Sequence, residues 1–118
     1  MARLQRRFGS LVGREILFLS ITLDPAHDGP PALRDYAANC GAGPGWFFLT
    51  GRADHIEAVR RSLGVQDPDP QVDGDRAQHG ALLTFGNDRT GRWAALPAPL
   101  RFEYLAAAIL RVVGATTA

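Results

Sequence analysis

The stretch 18-FLSITLDPAHDGPPALRDY-36 decides the reading of this chain. Phe18 to Ile21 closes an apolar run, 15-EILFLSI-21, of strand length. Asp24-Pro25 then makes a sharp turn, because an Asp side chain bonds to nearby backbone and proline fixes φ. Asp28-Gly29-Pro30-Pro31 caps and opens a helix, since the first helical turn has no use for the N–H that proline lacks. Leu33, Tyr36, Ala37 and Cys40 follow at i, i+3, i+4 and i+7, which predicts one buried helix face. An unbroken apolar run such as 15–21 suits a strand covered on both faces, as in a parallel sheet between helices.

The same signals extend outward. Residues 2–9 read as the end of a helix, with Leu4 and Phe8 on one face and Gly9 at its stop. Trp46–Leu49 is a short strand. Asp54 followed by Glu57 resembles a capping box with Asp in place of Ser or Thr. The helix behind it is predicted to bury Ile56, Val59 and Leu63 and to stop at Gly64. Residues 66–78 form a polar loop with two prolines. Residues 80–86 form a strand, Asn87 to Gly91 a turn, and Arg92 to Leu96 pairs back as a hairpin. A last helix over 101–113 turns Phe102, Leu105, Ala106, Ile109 and Leu110 inward. Helices alternating with strands predict an α/β layer plan. The 118 residues suit a single domain, 1–118, with no internal repeat.

Composition excludes several function classes. The net charge is +1, from 13 basic and 12 acidic residues, so nothing favours nucleic acid or an anionic membrane. Every basic residue is Arg. The N-terminus MARLQRRFGS has no apolar core of signal-peptide length, and no run approaches about 20 apolar residues. One cysteine, Cys40, excludes an intramolecular disulfide and a two-thiol metal site within one chain.

The segment 18–36, together with Phe47-Phe48-Leu49-Thr50-Gly51 and a lone His79 just before an apolar strand, resembles the Sco/SenC family of thioredoxin-like copper-handling proteins. The resemblance is collinear over nearly the whole chain. It implies a thioredoxin-like, three-layer α/β fold. In that family a first strand lies at the sheet centre, between the equivalents of Glu15–Ile21 and Gly80–Gly86. It leads into a Cys-x-x-x-Cys motif at the start of a helix. Neither is found in this sequence, and MARLQRRFG reads as the middle of that helix, so an N-terminally truncated domain is expected. The resemblance also implies a role in copper delivery and cytochrome c oxidase assembly, within electron transport, by a metallochaperone and not a catalyst. The implied location is periplasmic and membrane-tethered, and the implied partner is an oxidase subunit or another copper or redox protein. The rivals are a thiol-disulfide oxidoreductase-like protein and a degenerate thioredoxin-fold module that binds a protein partner. Two strands deprived of a central neighbour predict self-association or marginal stability.

The resemblance makes His79 the third copper ligand beside two thiolates, a donor set that suits copper in either oxidation state. Here it stands as the remnant of a Cys-Cys-His site, and one imidazole predicts weak binding, because affinity comes from several ligands held together. The plainer reading is an exposed loop histidine. Asp24, at the carboxyl end of a strand, is a candidate for tuning such a site from behind the ligands. The alternative, which the residues favour, is that it caps the turn. His27 in the same turn and His55 at a helix start read as exposed. Cys40, on an apolar face, behaves as a small hydrophobe. The acidic residues Asp67, Asp69, Asp73 and Asp75 fail the EF-hand spacing, since a loop begun at Asp69 puts Gln71 at its third position and Gly80 at its twelfth.

Overall fold

Phe18–Ile21 (β1) and Trp46–Leu49 (β2) pair in parallel, Phe18 opposite Trp46 and Ile21 opposite Leu49. Around this pair the computed structural model describes residues 1–63, 82–98 and 100–114. The remaining elements are α1 (Ala2–Phe8), α2 (Pro30–Cys40), α3 (Ala53–Ser62), β3 (Leu82–Asn87), β4 (Arg92–Pro97) and α4 (Phe102–Val113), with a 3₁₀ turn at Gly9–Leu11. The arrangement is α/β. The ends of the predicted stretches at Gly64, 66–78 and 80–81, with His79 and the four loop aspartates, lie outside the described residues.

α1 buries Leu4 and Phe8, four residues apart on one face, and ends at Gly9 with φ 53°, a conformation that favours glycine. β1 is shorter than the apolar run. Residues 13–15 turn instead, with the Gly13 N–H donating to the Ile16 carbonyl at 2.7 Å. The run is also covered on one face only. Ile16 and Phe18 are buried, whereas Leu17 is 61% and Leu19 53% exposed. This corrects the expectation of a strand buried on both faces. Parallel register places Leu19 beside Phe47 and Ile21 beside Leu49, and Phe47 and Leu49 are exposed as well.

α2 begins after Gly29 with both prolines in its first turn and ends at Gly41 in the left-handed region, φ 68°. Asp28 does not cap it. Its carboxylate accepts the Thr22 hydroxyl at 2.6 Å. The expected buried face is only half-covered: Leu33, Ala37 and Cys40 are intermediate, and Tyr36 is exposed with its ring edge-on to Phe48. α3 departs further from expectation. Asp54 closes no capping box, because the Arg52 guanidinium takes its carboxylate at 3.1 and 3.2 Å. Ile56 is buried as expected, but Val59 and Leu63 are exposed and Arg60 occupies the buried position.

β3 and β4 form an antiparallel hairpin, with Leu82 opposite Pro97 and Asn87 opposite Arg92. The Asn87 side chain organises its turn and accepts the Arg89 N–H at 2.9 Å. Its amide also donates to the Val113 carbonyl at 2.8 Å, tying the hairpin tip to the end of α4. α4 packs on both strands of the hairpin and buries Leu105, Ala106, Ala108 and Ile109. Phe102 and Leu110 sit at the margin of this core.

The four described strands do not make one sheet. β1–β2 and β3–β4 are separate two-stranded sheets, joined by a shared core that includes Leu4, Phe8, Phe18, Trp46, Phe85 and Leu105. Among the described residues β1 and β3 are not paired with each other. Among the described residues no helix is long and apolar enough to cross a membrane.

Gly45 is where the backbone is most constrained. It has φ 90°, and a Cβ there would run into the backbone nitrogen of Gly13. Gly45→Ala is expected to cost roughly 2–4 kcal/mol, combining left-handed strain with overpacking. Gly51→Ala, which meets nothing within 4 Å, should change little. Urea unfolding of both variants checks this.

Candidate functional site

The carboxyl end of β1 is held to β2 by the Thr22 N–H, which donates to the Leu49 carbonyl at 3.0 Å. Beyond it the chain folds into a small polar knot. The Asp24 N–H donates to the Thr22 hydroxyl at 2.9 Å, and that hydroxyl donates to Asp28. The Asp24 carbonyl accepts the N–H groups of His27 and Asp28 at 3.1 and 2.9 Å. The Asp24 carboxylate meets His27 Nδ1 at 2.9 Å. Asp24 is thus a turn organiser, and the same contacts bring an imidazole to the end of the strand. His27 itself is largely exposed.

The other sequence candidates do not join this group. His55 is exposed in the first turn of α3. Cys40 is the last residue of α2, half-buried against the core. His27 precedes the start of that helix. α2 has eleven residues, so its ends are roughly 15 Å apart along the axis, with Cys40 at one end and the Asp24–His27 turn leading into the other. No cluster of three His, Cys, Asp or Glu side chains able to hold a metal occurs among the described residues. A soft-metal site gathers several thiolate, thioether or imidazole donors, and the described residues bring no such set together.

The sequence reading named no residues lining the space between the two described sheets. A cleft of about 690 Å³ lies there, bounded by Leu17–Leu19 on one side and Leu83–Gly86 on the other, with Ile109 and Trp93 also in its wall. Trp93 lies over Gly86, where a Cβ would clash with its ring. The run 15–21 hid the cleft, because apolar residues on both faces of a strand leave no alternation to show which face is open.

The electrostatics of the described residues centre on α3. The Arg60 guanidinium holds the Glu57 carboxyl below its ordinary value, with Arg61 assisting at 3.0 Å, and partial desolvation opposes the shift. This network follows i,i+3 and i,i+4 helical spacing and belongs to the helix surface.

A family model described as SCO1/SenC matches residues 1–113. Among curated proteins, one from Stutzerimonas stutzeri, named "Putative copper-binding protein", is 29% identical over 111 residues, covering 89% of this chain and 53% of that protein. The chain thus spans about half the length of that relative. No solved structure matches it.

Two measurements follow from these positions. Cys40→Ser puts a hydroxyl against the core margin and should cost roughly 1–3 kcal/mol if it finds no partner. It should leave insulin-reduction turnover at the wild-type background, and turnover lost in the variant would refute this. Glu57, with its folded-state pKa lowered, contributes stability that is present above the ordinary glutamate range and is lost as pH falls through the lowered value. Glu57→Gln should therefore be less stable than wild type at neutral pH. The difference should vanish in acid, as followed by denaturant midpoints across pH.

Proposed function

This chain belongs to the SCO1/SenC family, and on that premise we propose that it is the scaffold of a copper-handling metallochaperone. In this reading copper is cargo, delivered during cytochrome c oxidase assembly on the periplasmic side of a membrane. The observation that carries the reading is the family match across residues 1–113. It is supported by the β1–turn–α2 unit over 18–40, where Asp24 sits at the carboxyl end of a parallel strand. Crevices at the carboxyl ends of such strands are where open α/β sheets place their ligands. That β1 and β3 have no strand between them among the described residues agrees with a thioredoxin-like sheet whose central strand belongs there.

The roles divide by chemistry. His79 supplies a neutral imidazole, suited to copper beside thiolates. Asp24 and His27 shape the turn at the carboxyl end of β1. The two thiolates of such a site are not residues of this sequence, because its one cysteine lies at the far end of α2. A dithiol redox role lacks a second thiol for the same reason.

Copper affinity tests the reading. Titration of the purified chain with Cu(I) against a chromophoric chelator should give weak, non-stoichiometric binding that falls further in His79→Ala, since one imidazole holds a metal poorly. A tight one-to-one complex that survives His79→Ala would overturn the assignment of the site.

A further inference from the structure

Three arginines of α1 form one exposed stripe. Arg3, Arg6 and Arg7 stand at i, i+3 and i+4, so they share a side of the helix while Leu4 and Phe8 turn into the core. α4 holds two of them. Arg3 lies over the Phe102 ring, 4.0 Å from its centroid. Arg7 Nε is 3.7 Å from the Glu103 carboxylate, and both side chains are open to solvent. Arg6 makes no ion pair among the described residues. Arg101, also exposed, precedes Phe102 in the chain. Residues 2–8 and 101–104 thus bring four arginines together against one carboxylate. The whole chain is only +1, so this face is more positive than the molecule that bears it, and the remainder is net acidic. Charge separated in this way gives a directional field that steers encounter with an oppositely charged partner.

We propose that this face, built from α1 and the start of α4, is a docking surface for an acidic segment of a partner protein. Three observations select that occupant. The first is sign, since arginines outnumber carboxylates here although the two nearly balance over the chain. The second is spacing. Arg3 and Arg7 are one four-residue step apart, about 6 Å along the helix. Carboxylates at i and i+4 of a helix, or at alternate positions of a strand, repeat at nearly the same distance. A guanidinium takes a carboxylate through two N–H groups of one planar fork. Stacking on Phe102 holds the Arg3 fork in place before a partner arrives, which lowers the ordering cost of binding. The third is Glu103. A continuous layer of anionic lipid headgroups would press like charge onto this exposed carboxylate, whereas a protein segment can set its carboxylates opposite the arginines alone. The inference does not rest on copper.

The test uses the whole chain without metal and a labelled, end-blocked alanine peptide with glutamate at every fourth position. Its counterpart carries glutamine at those positions. Fluorescence anisotropy at low salt should show saturable one-to-one binding of the first peptide and none of the second. Binding should weaken as salt rises, because exposed charges are screened. The triple variant Arg3→Gln, Arg6→Gln, Arg7→Gln should weaken it at least about tenfold, as three exposed charge pairs of about twofold or more each imply. Arg6→Gln alone, which removes no described contact and so leaves folding intact, should weaken it about twofold or more. A control triple at exposed positions elsewhere, Arg34→Gln, Arg89→Gln, Arg92→Gln, removes the same charge and should change it less than about twofold. Absence of saturable binding, or equal loss in the control triple, would overturn the proposal. Stronger binding to phosphatidylserine vesicles than to the peptide, lost in the first triple, would assign the face to a membrane and overturn it. A salt-sensitive dimer in sedimentation, lost in that same variant, would assign it to a second copy and overturn it too.

Discussion

Phe18 is held on three sides, and the rest of the structure depends on that. Its ring meets Phe8 of α1 edge-on at 6.2 Å and Trp46 of β2 at 5.9 Å, and Trp46 stacks on Phe48 at 5.1 Å. Such contacts add specificity of geometry to the apolar area they bury. The Phe18 N–H is taken by the Gly45 carbonyl at 2.8 Å, and Gly45 in turn packs against Gly13. The indole N–H of Trp46 donates to the Ser20 hydroxyl at 3.0 Å, so burying the ring leaves no unsatisfied donor. With Phe18 placed, the carboxyl end of β1 is placed, and the Asp24 turn with it.

Around this cluster the elements are tied by polar clasps. Gln5 of α1 reaches the loop after α2, donating to the Gly41 carbonyl at 3.0 Å and accepting the Gly43 N–H at 2.7 Å. Arg3 lies over the Phe102 ring at 4.0 Å, linking α1 to α4. Asn87 closes the hairpin against α4. The core is therefore continuous although the sheet is not. One half is a parallel pair with an open apolar face, and the other is a hairpin backed by a helix. The exposed side chains of Leu17, Leu19, Phe47 and Leu49 share a face of the parallel pair.

The functional reading follows this division. The polar turn at the end of β1 gathers Thr22, Asp24, His27 and Asp28, while the cleft is bordered by strand edges that have no strand partner among the described residues. The lone thiol sits apart from both, at the opposite end of α2 and against the core, where its environment is that of a packing residue.

Local chemistry was legible in the residues themselves. Gly9 marks a helix end, Pro30 and Pro31 mark a helix start, Asn87 to Gly91 marks a hairpin turn, and the period of Leu105, Ala106 and Ile109 marks the inward face of α4. Each depends on backbone sterics or on spacing within a few residues, which sequence carries directly. Tertiary structure decided the rest. Asp28 and Asp54 look like caps, but the Thr22 hydroxyl and the Arg52 guanidinium claim their carboxylates instead. Val59 and Leu63 match a buried stripe, but Arg60 took the buried place on α3. Leu17 and Leu19 match a strand covered on both sides, yet they face outward, because burial is a property of what lies across from a residue. Periodicity says which side chains share a face, and only the packing of distant segments says whether that face meets protein or water.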